Sequence, residues 1–420
     1  MFSINKKNRW FFLTIVCMGM TGVFGVPYLT RGFYNVFQDA MGLTHSQIGL
    51  LMSTYGTLNL FLYFPGGWLA DKISIKKLLC FSFIGSAVLG GVILIYSSFS
   101  VLLMVYAGFS VTSIMTFFPA MLKFVRTLGD SNEQGVLYGY KESFYGVFGV
   151  IIGLIVVKIG TVTGSDVSAY RWLVVLYSGI SLFAGITLWI LLKEDNETEK
   201  ILEKKTINLK IILKLLRMKN VWLVTLSILS CYTVYCSVTY TSPYLVEVFG
   251  VSNELASKLG LFRQYVAPIF MCLLYGIIAD KVGSSVKVIK ITAYAIGVSC
   301  LAFIFTPKAP EMITMAILSM FFFTIFSTGV RGAYFAQIDE AKLPIEYMGT
   351  IVGIISVIAF LPDAFYYTVM GHLIDRYSHA GNVALGYQIV FGISAFFAVM
   401  AIITGKALYK SIYNKASTKK

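Results

Sequence analysis

The chain has 420 residues, 57% of them hydrophobic and 13% charged, with a mean hydropathy of +0.77. Soluble domains carry roughly a quarter charged residues, so a soluble globular fold is excluded. Apolar runs of about 20 residues recur along the whole chain, which also excludes a barrel of shorter strands alternating in polarity. A net charge of +14 would suggest nucleic acid in a soluble protein, but here the charge follows the loops, and no nucleic-acid partner is expected.

In lipid every backbone group must be satisfied within its own element, so the apolar runs predict helices. Taken in chain order these cover 10–37, 47–70, 78–97, 101–122, 134–157, 172–192, 221–245, 256–279, 288–305, 312–338, 347–371 and 384–405. The fold class expected is an all-α membrane protein with twelve transmembrane helices. The first run lacks a cleavage pattern and is too long for a signal-peptide core, so it stays as the first helix. With both termini placed in the cytoplasm, cytoplasmic segments hold 25 of the 34 Lys and Arg. The outer loops hold Lys158, Arg171, Lys258, Lys308 and Arg376, and this asymmetry fixes the orientation. A plasma membrane, the inner membrane of a bacterium, is the location this implies. The six cysteines, at 17, 80, 231, 236, 272 and 300, all lie in apolar runs without metal-ligand spacing. They read as buried packing residues, and no metal or cofactor is expected.

A polar stretch from Lys193 to Lys219 separates six predicted spans from six. It divides the chain into an N-terminal bundle at 1–193, a cytoplasmic linker at 194–220, and a C-terminal bundle with a basic tail at 221–420. The later part of the linker, INLKIILKLLRM, has the pattern of a surface amphipathic helix. The two halves repeat. Gly67-Trp68-Leu69-Ala70-Asp71-Lys72 follows the second span, and Gly276-Ile277-Ile278-Ala279-Asp280-Lys281 follows the eighth, 209 residues later. Gln47-Ile48-Gly49-Leu50-Leu51 likewise parallels Lys258-Leu259-Gly260-Leu261-Phe262. Two repeated six-helix bundles are a transporter arrangement.

The repeated loop resembles the G-x-L-A-D-R-x-G-R-R signature of the major facilitator superfamily, and the resemblance spans the whole chain. Ser74 stands where the first copy would have its second glycine, and Ile75 replaces a basic residue. The second copy keeps Gly283 but has serines in place of the basic pair. Gly67 and Gly276 are expected to permit close helix approach. Asp71 and Asp280 place a negative charge where it can meet the positive end of a neighbouring helix. The resemblance implies that these neighbours are spans eleven and five, and that Asp71, Lys72, Asp280 and Lys281 belong to a conformational latch. The segment PYLTRGFYN around Arg31 resembles the first-span arginine region of the organophosphate/phosphate antiporter branch. The second arginine of that branch precedes a Ser-Pro pair on span seven. Here Ser242-Pro243 is preceded by Tyr235, so Arg263 or Arg331 would have to substitute. Residues 331–363 look closer to a poorly characterised bacterial permease branch.

Away from the span ends, where Lys258 and Lys290 lie, six charged residues fall within spans: Arg31, Lys141, Glu142, Arg263, Arg331 and Asp363. Charges there are costly and face a cavity or a partner. Pairing Arg31 with Glu142 and Arg331 with Asp363 would still leave two positive charges in surplus, which an anionic solute would offset. Arg31, Arg331, Arg263 and Lys141, with Tyr28, Asn35 and Tyr235 at helical spacing, are therefore the candidate substrate contacts. Glu142 and Asp363 are the candidate proton carriers, because burial can raise a carboxylate pKa towards neutrality. The function expected is secondary active transport of a small organic anion, coupled to protons or to a counter-anion, by a monomer in the lipid bilayer. Transport of a neutral or zwitterionic solute with the charges as gates, and a transporter-like sensor, are the alternatives. No nucleotide loop, metal cluster or nucleophile constellation marks an enzyme.

Overall fold

The computed structural model describes residues 8–96, 98–129, 133–192, 209–344 and 347–417. All of its regular structure is helical. In chain order the helices are α1 (Arg9–Gly25), α2 (Leu29–Met41), α3 (His45–Lys72), α4 (Ile75–Ile95), α5 (Phe99–Thr127), α6 (Gln134–Thr163), α7 (Asp166–Leu191) and α8 (Leu209–Leu216). There follow α9 (Lys219–Phe249), α10 (Asn253–Val282), α11 (Ser285–Phe305), α12 (Ile313–Ala333), α13 (Ala336–Glu340), α14 (Met348–Ala359), α15 (Pro362–His379) and α16 (Val383–Ser417). Among the described residues ten helices are long and apolar enough to cross a membrane, or eleven if the bent pair α1–α2 forms one span. The 28-residue α3 is outside that set; its middle turns carry Ser53, Thr54, Thr57 and Asn59.

The chain divides into two compact units, Met1–Glu203 with Asn253–Val266, and Lys204–Ser252 with Ala267–Lys420. The expected bundles at 1–193 and 221–420 differ from this in the stretch 253–266, which packs with the first unit. Most of the expected linker, residues 193–208, lies outside the described residues, while its amphipathic part forms α8.

In the first unit, α1 and α2 meet at a 45° bend over Val26–Tyr28. Pro27 sits in that bend, lacking an N–H and crowding the preceding turn. A second break follows at Phe33, with φ −128° and ψ 43°. Thr44 and Gln47 close a capping box at the start of α3, and Ser74 caps α4 by accepting from the Lys77 amide. Phe83, Phe117 and Phe124, all fully buried, centre the core of α1, α4 and α5. Within α5 the segment Val111–Phe117 widens into a π-helical turn.

In the second unit, α11 starts from the same device, with Ser284 accepting from the Lys287 amide at 3.1 Å. From the repeated aspartate to the capping serine the second copy is one residue longer, Asp280 to Ser284 against Asp71 to Ser74, and Gly283 stands in that stretch at φ +68°. That left-handed conformation is one a side chain adopts only with strain. The core includes Phe303 stacked on Phe391 at 4.1 Å, with Tyr244 set edge-on to both at 5.4 Å. Five of the six cysteines are buried and Cys272 is half-buried.

Candidate functional site: arginines seated on tyrosines

In the first unit, the stripe Phe24, Tyr28 and Arg31 survives the bend. The Arg31 guanidinium lies over the Tyr28 ring at 3.9 Å, within the range of a cation–π contact. Tyr28 in turn stacks on Phe24 at 6.1 Å and sets its edge on Tyr55 at 5.3 Å. Tyr55 is fully buried, and its hydroxyl meets Ser113 at 2.8 Å inside the π-helical turn of α5. Sequence reading missed Tyr55 and Ser113: a tyrosine among polar residues and a serine in an apolar run carry no signal before the two helices are packed. Asn35 is 5% exposed, and its Oδ1 has no hydrogen-bond partner among the described residues.

Three of the intramembrane charges make contacts that sequence reading did not give. Glu142 does not pair with Arg31; its carboxylate meets the neighbouring Lys141 at 2.7 Å, with Lys141 buried and Glu142 exposed. A lysine chain is long enough to wrap the helix towards its sequence neighbour, which an alternation argument overlooks. Arg263, 4% exposed, donates to the backbone carbonyl of Arg31. It thus serves the backbone of the very segment whose side chain it was expected to assist. Asp363 accepts from the Tyr232 hydroxyl at 2.7 Å and lies 3.8 Å from the Cys236 thiol.

That carboxylate is positioned by a break the sequence reading ran through. The expected span 347–371 divides into α14 and α15 at Phe360–Leu361, with Pro362 at the first position of α15. Asp363 therefore stands in the first turn of α15, where the helix dipole favours a negative charge. Tyr232 packs edge-on to Phe360 at 4.6 Å and lies 6.1 Å from Tyr235. The Arg331 guanidinium sits over the Tyr235 ring at 4.3 Å. Among the described residues each unit thus shows an arginine held by its face on a tyrosine.

At the repeated loops, Lys72 lies over Trp68 at 4.3 Å and is exposed, as are Asp280 and Lys281. Asp71 belongs to the last turn of α3, and its side chain lies outside the described residues. Close approach occurs at neither expected glycine: a Cβ on Gly67 or Gly276 would meet nothing within 4 Å. Gly66 and Gly332 are among the tight positions instead: a Cβ there would stand 2.7 Å from the Met115 carbonyl oxygen and 2.3 Å from that of Cys272. Helix phase, unreadable across Pro65 and the loops, decides which glycine faces a neighbour.

At one end of the second unit, Glu340 gathers several donors. Its carboxylate accepts from the Ser284 hydroxyl, from the Ser285 hydroxyl at 2.6 Å, from the Val286 amide at 3.0 Å and from the Tyr413 hydroxyl at 3.1 Å. Partial burial pushes its pKa up, but the four hydrogen bonds outweigh that and hold the carboxyl below its ordinary value.

The family model of the Major Facilitator Superfamily matches residues 10–366. The chain belongs to the major facilitator superfamily. It is similar to inner membrane protein YqcE of Escherichia coli (strain K12), at 30% identity over 92% of this chain and 94% of that one. Among solved structures, a bacterial homolog of the human lysosomal transporter Spinster aligns with a TM-score of 0.75 at 13% identity, covering 96% of this chain and 98% of that one. The nucleoside transporter NupG gives a TM-score of 0.72 at 14% identity, covering 97% of this chain and 100% of its own. At such identities the likeness shows the fold alone. This superfamily member is a transporter. With at least ten helices able to span, and a full-length relative named as an inner membrane protein, it is a multi-pass inner-membrane protein.

Proposed function

We propose that this transporter moves a small organic anion by alternating access, coupled to protons or to a counter-anion, through twelve spans with both termini in the cytoplasm. On this reading α1–α2 is one bent span and α3 is the twelfth. The observation that carries the anion reading is the seating of Arg31 on Tyr28 and of Arg331 on Tyr235, at 3.9 and 4.3 Å. A guanidinium held by its face keeps its N–H edge in a fixed plane, which suits a carboxylate or phosphate that accepts two parallel hydrogen bonds. Lysine could hold the charge at these places but not the plane. Asp363 is the coupling carboxylate on this reading, since Tyr232 donates to its ionised form and protonation would cost that bond some of its strength. Glu142, committed to Lys141, is the lesser candidate.

A thermal-shift screen of the purified protein tests the proposal, with inorganic phosphate, sugar phosphates and carboxylates against neutral sugars and nucleosides. Stabilisation by anions that is lost in Arg31→Gln and in Arg331→Gln is the expected result. Stabilisation by neutral solutes alone, retained in both variants, would overturn it and favour a neutral cargo stacked on the same tyrosines.

A further inference from the structure

The short helix α8, which leads into α9, has one side packed and one side open. Leu215 is 1% exposed, while Leu213, turned to the other side of the helix, is 51% exposed. A single open leucine is ordinary, but this one has company. Lys214, Arg217 and Lys219 beside it are all exposed, and among the described residues no carboxylate forms a salt bridge with any of them. The open side is held in place. The Arg217 and Met218 amides donate back to the Lys214 and Leu215 carbonyls at 3.2 and 3.0 Å. Asn220 then fastens the start of α9: its amide donates to the Ala341 carbonyl at 3.1 Å, and its oxygen accepts from the Ser411 hydroxyl at 2.7 Å.

Trp222 sets the depth. It stands in the first turn of α9, which is long and apolar enough to cross the membrane, and it is 41% exposed. A tryptophan at the end of a span rests at the level of the lipid headgroups. Its indole N–H donates to the Leu216 carbonyl, in the last turn of α8, at 2.7 Å. That bond holds the end of α8 at the same level, with its cations among headgroups rather than out in the water. An open apolar side chain, unopposed cations and an aromatic anchor are features of helices that lie in a membrane surface.

We propose that α8 and the first turn of α9 form a binding site for anionic phospholipid. Lys214, Arg217 and Lys219 take the headgroup phosphates, while Leu213 and Trp222 enter between the acyl chains. The surface is continuous with the lipid-facing side of α9, which makes its occupant the bilayer rather than a soluble partner. A zwitterionic headgroup carries its own cation and gains little from three more; a headgroup of net negative charge matches them. The site shares no residue with the arginines seated on tyrosines, so its test bears on neither the anion reading nor the coupling.

Hydrogen exchange followed by mass spectrometry decides it, on the full chain in nanodiscs of phosphatidylcholine alone and of phosphatidylcholine mixed with phosphatidylglycerol. Amides over 213–222 should exchange on the order of tenfold more slowly with phosphatidylglycerol present, and high salt should shrink the difference. Exchange in α11 should be the same in both. The variant Lys214→Gln/Arg217→Gln/Lys219→Gln should exchange alike in the two nanodiscs, while Lys214→Arg/Lys219→Arg keeps the phosphatidylglycerol effect. Equal exchange by the parent in both nanodiscs would overturn the proposal, leaving the cations merely solvated. So would a phosphatidylglycerol effect that survives in the glutamine variant. Protection over 213–222 in detergent without phospholipid, as strong as with phosphatidylglycerol, would also overturn it, since the chain alone would then hold the helix.

Discussion

At the scale of single residues, Glu340 shows how a charge can be held without a cation. Its four donors are the Val286 amide, in the first turn of α11, and the hydroxyls of Ser284, Ser285 and Tyr413, so the carboxylate also caps a helix N-terminus. Its folded pKa lies below the ordinary carboxylate value, which fixes the sign of the pH dependence. The stabilisation is fully present above that ordinary value and is lost as pH falls through the lowered folded value. Replacing the group by Gln should cost about 1–2 kcal/mol at neutral pH, after allowance for its partly open side. Thermal unfolding of Glu340→Gln beside the parent should show a gap at pH 7 that narrows only as pH falls below the ordinary carboxylate value of 4.5, and a gap that widened on acidification would refute it. Nothing in the sequence marked Glu340, because its partners are hydroxyls and an amide brought from 54 to 73 residues away. Arg31, Arg331 and Asp363 were legible for the opposite reason: a charge in an apolar run announces itself before any partner is known. The tyrosines they meet were not, since two ring faces and a hydroxyl carry no charge pattern to match.

Among the elements, helix existence was readable and helix phase was not. Apolar run lengths placed the long helices, and the Ser74 and Ser284 caps lie in the loops where the repeat ends. Breaks at Phe33, at Phe360–Leu361 and in the π-helical turns of α5 and α10 leave no mark in a hydropathy profile, although Pro362 was a clue to one. Gly66 and Gly67 make the loss of phase testable with adjacent substitutions. In Gly66→Ala the new methyl would stand 2.7 Å from the Met115 oxygen and 3.0 Å from its Cα, both backbone atoms that cannot swing aside. Overpacking of that kind costs about 1–3 kcal/mol. Gly67→Ala meets open space and exchanges glycine for a better helix former, worth up to about 1 kcal/mol in the favourable direction. Thermal unfolding in detergent should therefore fall by several degrees for the first variant and hold or rise for the second. Equal losses would mean that both glycines touch a neighbour. Gly283→Ala, forced to φ +68°, should lose about 1–2 kcal/mol without any clash.

Across the whole molecule, transport needs both a charge balance and a way to change it. Lys141 is neutralised by Glu142 and Arg263 is turned to a carbonyl. On the anion reading, the charges that bear on a solute then reduce to Arg31, Arg331 and Asp363. Within the second unit, Asp363 offsets the charge of Arg331 while it is ionised, and leaves that charge to an anion once it takes up a proton. Proton uptake and anion uptake are then linked through one group, and the link is thermodynamic: whatever raises the affinity for one raises it for the other. Asp363→Asn fixes the site in the equivalent of its protonated state. It should bind the stabilising anion at least as well as the parent and exchange it across proteoliposomes, but it should no longer accumulate it against a gradient when a pH difference is imposed. Glu142→Gln should keep both abilities, with some loss of stability as the buried Lys141 loses its carboxylate. Paired counterflow and pH-driven uptake measurements separate these outcomes. Uphill accumulation by Asp363→Asn would place the coupling elsewhere, and loss of counterflow together with accumulation would make Asp363 a binding group rather than a proton carrier.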